Sequence, residues 1–262
     1  MLEKSLIERK SALWKSALIA FVERRNLEGA AAIHVTSRRE REEAETFGFN
    51  LPPVHEVPNG VDLSPTLTPP AAAITALSAR QPFALFLGRI NWKKGLDRLI
   101  TSLAAAAGWQ LVVAGNDEDG YRAQLELQAA AAGLTDRVTF TGSVGAADKA
   151  ALLRMARVLV LPSYSENFGN VVLEAMAAGC AVVVTPEVGI ADEVTRADAG
   201  WVVDGTPAHL GARLAAIIND PAACAAAGAR GRQAVNERFT WERIAEQMEA
   251  IYRGIATGRH RH

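Results

Sequence analysis

Three cations and two glycines lie in one short segment, Gly88-Arg89-Ile90-Asn91-Trp92-Lys93-Lys94-Gly95, which comes directly after an apolar run. Gly88 lets a ligand approach the backbone, and Arg89 and Lys94 stand at the mouth of the helix predicted next. A pyrophosphate bound here would gain charge-assisted hydrogen bonds and the positive end of a helix dipole. The GxxxxGK[Ser/Thr] pattern is absent, so the segment is not a Walker-type phosphate loop. Taken alone, it is also compatible with a solvated basic loop.

Two glutamates stand eight residues apart in a second segment, residues 162–174. Glu166 lies in a turn, and Glu174 lies inside the helix predicted to follow. The backbone amides of Phe168-Gly169-Asn170 open this helix and offer donors to an anion or to sugar hydroxyls. A carboxylate one to two turns into such a helix can accept both hydroxyls of a ribose. A lone pair of glutamates would be solvated acids, but their place on a strand–loop–helix unit favours ligand binding.

The elements that must position these segments are short apolar runs alternating with helix-like segments. The runs are apolar throughout, as in strands that are covered on both faces. Alternating β and α units imply right-handed crossovers, so we predict an α/β fold with a doubly wound, Rossmann-like parallel sheet. Strands are predicted at residues 33–35, 83–87, 111–114, 138–140, 158–161 and 181–185. Helices are predicted at residues 96–106, 121–132, 146–155, 171–178, 207–219, 221–238 and 241–255, and a proline-rich loop at 64–70.

Ligands of an open parallel sheet bind at the carboxyl ends of its strands, beside helix N-termini. Residues 88–95 and 162–170 each follow a predicted strand, so they are expected at the same edge of the sheet. Two weaker loops follow other strands. Thr141-Gly142-Ser143-Val144 would offer backbone groups to a nucleobase, with Val144 as a candidate contact. Residues 185–190 would line a sugar or form an ordinary turn.

The composition excludes some classes of partner. Lys and Arg number 28 against 29 acidic residues, which gives a net charge of -1 in 262 residues. Binding to a nucleic-acid backbone needs a clustered basic excess, so we expect no nucleic-acid partner. Cys180 and Cys224 lie in apolar or alanine-rich surroundings without paired spacing, which favours buried thiols in the cytoplasm.

The first 25 residues have an amphipathic pattern, with leucines and Phe21 interspersed among lysines and glutamates. No run of 18 apolar residues is present, so no span of a membrane is predicted. We expect this helix to pack on another domain or subunit, because its acidic residues would be repelled by an anionic lipid surface. Peripheral association with the inner face of the membrane remains an alternative.

Six segments, taken in order through residues 30–255, together carry a family resemblance. They are Val57-Pro58-Asn59-Gly60-Val61-Asp62, Gly88-Arg89 with Lys94-Gly95, Phe140-Thr141-Gly142, Leu161 to Gly169, Glu174-Ala175 and Phe239-Thr240-Trp241. In this order they resemble the C-terminal half of retaining glycosyltransferases with the GT-B fold, the family 4 or group 1 glycosyl transferases. The resemblance implies a hexosyltransferase-type enzyme of polysaccharide biosynthesis that uses a nucleotide diphosphate sugar.

The resemblance also implies roles for individual residues. Arg89 and Lys94 would neutralise the donor diphosphate and stabilise it as a leaving group, and Glu166 would stand beside the donor sugar. These three are the catalytic candidates. The loops and the resemblance together give further donor-binding candidates: Gly88, Val144, Phe168, Gly169, Asn170 and Glu174.

No metal or other cofactor is expected, because two cations and a helix dipole already act on the leaving group. The run Asp117-Glu118-Asp119 superficially matches a metal-binding Asp-x-Asp. Because the family often has an acidic loop without metal at this place, we interpret the run as solvent-exposed.

The resemblance implies a domain organisation as well. Residues 1–30 would be an amphipathic crossover helix from a missing N-terminal domain, residues 31–240 the nucleotide-sugar-binding domain, and residues 241–262 the closing helix and tail. The acceptor would then be held by that N-terminal domain or by a partner chain, and the isolated chain would be inactive or weakly active. His34, in a predicted strand, is expected to be a satisfied core histidine.

Two other classes of function stay open on the sequence. One is a non-catalytic nucleotide-sugar-binding or interaction module that docks through residues 1–25. The other is a different enzyme on a similar fold, either a nucleotide-sugar epimerase or a phosphorylase with lysine-bound pyridoxal phosphate.

Overall fold

The computed structural model describes residues 23–63, 68–80 and 82–257. By contact between residues, the chain divides into two units. One unit is Val61–Thr240, and the other joins Met1–Gly60 to Trp241–His262. Residues 31–60, predicted to be part of the nucleotide-sugar-binding domain, are grouped by contact with the other unit. Nearly all of the predicted helix at residues 1–25 lies outside the described residues, as do residues 258–262.

Eight strands lie within the described residues, and each hydrogen-bonded pair of neighbours runs parallel. They are β1 Ile33–Val35, β2 Val54–Glu56, β3 Phe83–Leu87, β4 Gln110–Ala114, β5 Val138–Gly142, β6 Val158–Leu161, β7 Ala181–Val184 and β8 Gly200–Val202. Strands β1 and β2 form a small sheet in one unit. The other six form a sheet in the larger unit, in the order β5-β4-β3-β6-β7-β8, which confirms the predicted α/β class with a parallel sheet.

The strand order reverses between β3 and β6. From β3 the chain adds β4 and β5 on one side, and then crosses to add β6, β7 and β8 on the other. At such a switch point the two connections leave in opposite directions, so a crevice opens above the carboxyl ends of the strands. The loop after β3 and the loop after β6 border this crevice.

Eleven α-helices lie within the described residues, and several begin with residues that cap their first turn. They are α1 Arg24–Glu28, α2 Arg38–Glu45, α3 Ala72–Thr75, α4 Leu96–Ser102, α5 Tyr121–Ala131, α6 Ala146–Met155, α7 Asn170–Ala178, α8 Ala191–Ala197, α9 Pro207–Ile218, α10 Pro221–Arg238 and α11 Trp241–Ala256. Helices α9 and α10 start with proline, and the side chains of Thr206 and Asp220 accept hydrogen bonds from their first-turn amides. Across the part of the chain that the structure describes, we find no helix with the length and apolar character needed to cross a membrane.

The core lies in the central strands. All residues of β3, β6 and β7 are buried, because helices pack over these apolar runs. Trp109 is fully buried just before β4, and its Nε1 donates to the carbonyl oxygen of Leu214 in α9 at 2.7 Å. This bond satisfies the one polar atom of the indole and ties the start of β4 to a covering helix.

The elements differ from the sequence prediction in several places, and helices α2, α3 and α8 were not predicted. The strand at 33–35 exists, but it pairs with β2 instead of joining the large sheet. The short strands β2 and β8 were not predicted. The helix predicted at 96–106 ends at Ser102, because the next amides, from Leu103 to Ala106, bond to carbonyls three residues back. In the predicted loop at 64–70, residues 68–70 lack regular structure and residues 64–67 lie outside the described part.

His34 is satisfied, as predicted, but it does not lie in a core. Its Nε2 is 2.7 Å from the carbonyl oxygen of Val57, to which it donates, and the residue is exposed on β1. The prediction of burial was wrong because β1 lies in a two-stranded sheet, where only Val35 of the strand is buried.

Candidate functional site

An ion pair joins the two loops that border the crevice. The ammonium of Lys94, from the loop after β3, contacts the carboxylate of Glu166, from the loop after β6. The two side chains are only 16% and 19% exposed. At this depth their attraction is screened less than at the surface, and removing one partner leaves a partly buried charge uncompensated. The structure therefore brings two of the predicted catalytic candidates into contact.

The two loops are also held together by a close backbone approach and by a side chain that binds backbone carbonyls. Gly95 has a left-handed φ of 67°, and a Cβ added there would lie 1.9 Å from the carbonyl oxygen of Pro162. Arg98, one turn into α4, donates from Nε to the Pro162 oxygen at 2.7 Å and from Nη2 to the Ser163 oxygen at 2.5 Å. These contacts hold the two loops together without involving the side chains of Lys94 and Glu166.

Arg89 is paired with Glu118, a residue of the loop after β4. Its Nη1 donates to Glu118 Oε1 at 2.8 Å, and Asn91 Nδ2 donates to Glu118 Oε2 at 2.9 Å. The hydrogen bond from Asn91, which has the larger effect, and the one from Arg89 hold the pKa of Glu118 below its ordinary value. The carboxylate therefore stays ionised at neutral pH. The sequence analysis had interpreted the Asp117-Glu118-Asp119 run as solvent-exposed. That is wrong for Glu118, whose side chain is 31% exposed and doubly bonded.

Glu174 is paired with a lysine that the sequence analysis did not single out. Lys149, in α6, donates from Nζ to Glu174 Oε1 at 2.7 Å, and both side chains are partly buried. Glu174 lies in the second turn of α7, so the pair bridges two neighbouring helices.

The loop after β7 binds the loop that carries Glu166. The Glu166 amide donates to the Glu187 carbonyl at 3.1 Å, and the Gly189 amide donates to the Glu166 carbonyl at 2.9 Å. The Ile190 amide donates to the Phe168 carbonyl at 2.9 Å. Residues 185–188 form a turn, closed by a bond from the Val188 amide to the Thr185 carbonyl at 3.0 Å, and a parallel bridge between Glu166 and Val188 joins it to the loop after β6.

The remaining predicted donor-binding residues lie on the same strand-to-helix loops. Gly169 caps α7 with a left-handed φ of 98°, where a Cβ would meet Val188 at 2.9 Å, and Asn170 begins the helix. Phe168 is buried in the core, Gly88 follows β3, and Val144 is partly buried before α6.

Sequence reasoning missed the partners of the predicted residues: Glu118 and Asn91 beside Arg89, Lys149 beside Glu174, and Arg98 beneath the loops. Glu118 could have been predicted if β3 and β4 had been placed side by side, because the loops that follow neighbouring parallel strands lie next to each other. Within residues 23–63, 68–80 and 82–257, no group of three or more His, Cys, Asp or Glu side chains forms a metal-binding cluster.

A six-stranded parallel sheet, with an ion pair between the two loops at its switch point, defines a Rossmann-like domain. Residues 71–234 match the family model described as "Glycosyl transferases group 1", and the chain belongs to that family.

Comparison with individual proteins agrees with the family. The chain is 38% identical to the D-inositol 3-phosphate glycosyltransferase of Xylanimonas cellulosilytica over 81% of this chain and 55% of that protein. Sucrose-phosphate synthase from Thermosynechococcus elongatus superposes with a TM-score of 0.83 at 29% identity, over 98% of this chain and 67% of that one. The Anabaena protein HepE, crystallised with UDP and glucose, shares the fold at a TM-score of 0.76 and 22% identity, over 86% of this chain and 64% of that one.

Such structural neighbours are GT-B glycosyltransferases. The chain spans about half the length of the curated relatives it matches.

Proposed function

We propose that this chain binds a nucleotide diphosphate sugar in the crevice between β3 and β6 and forms the donor half of a retaining family 4 hexosyltransferase. The observation that carries the proposal is the Lys94–Glu166 pair across the switch point, with Arg89 on the same loop as Lys94 and Glu174 on the helix after Glu166. Cations and carboxylates in this arrangement match a ligand that has a diphosphate at one end and hydroxyl groups at the other.

In the proposed reaction the chain acts mainly on the leaving group. Arg89 and Lys94 bind the diphosphate, whose negative charge grows as its bond to the sugar breaks, so they stabilise the transition state more than the ground state. The N-terminus of α7 adds a positive dipole end. Because these groups compensate the charge, the reaction is proposed to need no divalent metal.

The remaining residues orient the donor. Glu166 and the backbone of Phe168, Gly169 and Asn170 are proposed to hold the sugar, and Glu174 the ribose hydroxyls. Gly88 allows the diphosphate to approach the backbone, and Val144 lines the nucleobase. The proposed compartment is the cytoplasm.

The acceptor is proposed to be bound elsewhere, by an N-terminal domain or a partner chain. The 262-residue chain alone is proposed to bind the donor and to transfer its sugar poorly. Association with a membrane surface through residues 1–25 remains part of this proposal.

The first test is calorimetric titration of the chain with UDP and with GDP, in buffer containing EDTA. We expect one of them to bind, and we expect Arg89→Ala and Glu174→Ala each to weaken binding by about 10- to 100-fold, the usual worth of a charged hydrogen bond. Glu126→Ala is the matched control, because Glu126 on α5 is an exposed carboxylate paired with an arginine, Arg122, at 2.7 Å. A folded chain that binds neither nucleotide would contradict the proposal.

A second prediction concerns Lys149. By holding Oε1 of Glu174, its ammonium fixes the carboxylate so that Oε2 can accept from ribose hydroxyls. Lys149→Met should therefore weaken binding of the ribonucleoside diphosphate by about fivefold, with little effect on its 2′,3′-dideoxy analogue. Titration of both nucleotides with both proteins measures this.

Lys149→Arg, which keeps a donor on α6, should retain most of the preference for ribose. If Lys149→Met weakens both nucleotides equally, or neither, Lys149 does not act through the ribose contact of Glu174.

A further inference from the structure

The loop after β4 is fastened along the loop after β3. The Gly88 amide donates to the Ala114 carbonyl at 3.0 Å, and the Ile90 amide donates to the Asn116 carbonyl at 2.8 Å. The Glu118 amide then donates to the Ile90 carbonyl at 3.0 Å. These bonds continue the parallel pairing of β3 and β4 beyond the strands, so the backbone of Glu118 has a fixed position beside Arg89.

The carboxylate of Glu118 holds two side chains of the neighbouring loop at once. Oε1 accepts from Arg89 Nη1 at 2.8 Å, and Oε2 accepts from Asn91 Nδ2 at 2.9 Å. Asn91 in turn accepts from the Lys93 amide at 3.1 Å, which caps the single 3₁₀ turn Trp92–Lys94. One carboxylate is therefore connected to Arg89 directly and to the turn that presents Lys94 through Asn91.

We infer that Glu118 is a positioning residue that holds the two diphosphate-binding cations, Arg89 and Lys94, in place for the β-phosphate of the donor. This inference rests on the proposed function, since it deepens the role of the same crevice. Glu118 itself touches no reacting atom in this scheme. It acts through the side chains that it orients.

The geometry favours positioning over competition with the ligand. A guanidinium is planar, so holding Nη1 fixes the plane and leaves Nε and Nη2 to donate to phosphate oxygens. The Arg89 side chain is 63% exposed and would otherwise be ordered only when the ligand binds, at a cost in entropy. Because Oε2 is held by Asn91, the carboxylate cannot turn away with Arg89.

The experiment is titration of Glu118→Ala with a nucleoside diphosphate and the matching monophosphate, using UDP and UMP or GDP and GMP, whichever base the unchanged chain binds. We expect the diphosphate to bind about tenfold more weakly, because the side chains of Arg89 and Asn91 lose the carboxylate that orders them. Binding of the monophosphate should change by less than about twofold. Glu126→Ala, which removes another arginine-paired carboxylate, should alter neither value.

A reciprocal pair of substitutions tests the specific bonds. In Glu118→Gln alone, two amide NH₂ groups face each other where Asn91 now donates to Glu118. In Asn91→Asp alone, two carboxylates face each other there. In the double variant the amide introduced at position 118 can donate to the carboxylate introduced at position 91, while its oxygen still accepts from Arg89. Each single change should weaken diphosphate binding by about fivefold to tenfold, and the double variant should recover to within about threefold of the unchanged chain.

Three outcomes would overturn the inference: diphosphate binding as tight as or tighter than in the unchanged chain, equal losses for diphosphate and monophosphate, or a double variant no better than its parents. Tighter binding would mean that Glu118 competes with phosphate, unchanged binding that it does not act on the diphosphate site, and equal losses that it supports only the fold. Failure of the proposed function would look different from failure of this inference, because the unchanged chain would then bind no nucleoside diphosphate.

Discussion

Lys94→Met is expected to weaken binding of the nucleoside diphosphate by about 10- to 100-fold, as measured by calorimetric titration. Two effects add. The substitution removes the proposed charged donor to the diphosphate, and it leaves the carboxylate of Glu166, only 19% exposed, without its cation. An unpaired carboxylate at that depth repels an incoming anion, and the electrostatic cost is larger than at a solvated surface.

The two effects can be separated with Glu166→Gln. In that variant Lys94 no longer shares its charge with a carboxylate, so diphosphate binding should be unchanged or tighter. The double variant Lys94→Met with Glu166→Gln should bind the diphosphate more tightly than Lys94→Met alone, because the stranded charge is gone. If Lys94→Met binds the diphosphate like the unchanged chain, Lys94 is a structural cation and the crevice is not the diphosphate site.

The central strands could be predicted because their apolar composition reflects their buried environment. Phe83-Ala84-Leu85-Phe86-Leu87 has no polar residue, and only a strand covered on both faces suits such a run. In contrast, β2 reads Val54-His55-Glu56 and β8 reads Gly200-Trp201-Val202. Both are three residues long and none of their residues is buried, so their formation depends on a partner strand far along the chain.

The location of the candidate site was predictable for a topological reason, and its ion pairs were not. Parallel strands end at one edge, so Lys94 and Glu166 could be expected near each other once each was assigned to a loop after a strand. The pairing of Arg89 with Glu118 and of Glu174 with Lys149 depends on register and on helix rotation. Those distances are set by packing that no local pattern contains.

Arg98 shows the same limit. In the sequence it is an ordinary basic residue on a helix, and its neighbours give no sign of a special role. In the structure it donates to two carbonyl oxygens of the loop after β6 and stacks on the ring of Tyr164 at 4.1 Å. The contact requires α4 to lie directly under that loop, which follows from the order of the strands and from the close approach at Gly95.

Gly115→Ala is expected to reduce the stability of the larger unit by roughly 3–5 kcal/mol, which combines an unfavourable positive φ with a backbone clash. Gly115 has φ 149°, and a Cβ there would lie 1.8 Å from the carbonyl oxygen of Gly88. That oxygen belongs to backbone, so the clash is relieved only by moving the start of the loop that carries Arg89 and Lys94. Thermal or urea unfolding measures the loss, and the folded fraction should also bind the nucleoside diphosphate more weakly.

Gly120→Ala separates the two contributions within the same loop. Gly120 also has a positive φ, 73°, but a Cβ there meets nothing within 4 Å, so its substitution carries the conformational cost alone, about 1 kcal/mol. The difference between the two variants is then the cost of pushing the β3 and β4 loops apart. If Gly115→Ala is no less stable than Gly120→Ala, the loops do not approach as closely as the structure has them. Glu118 would then lie too far from Arg89 to orient it.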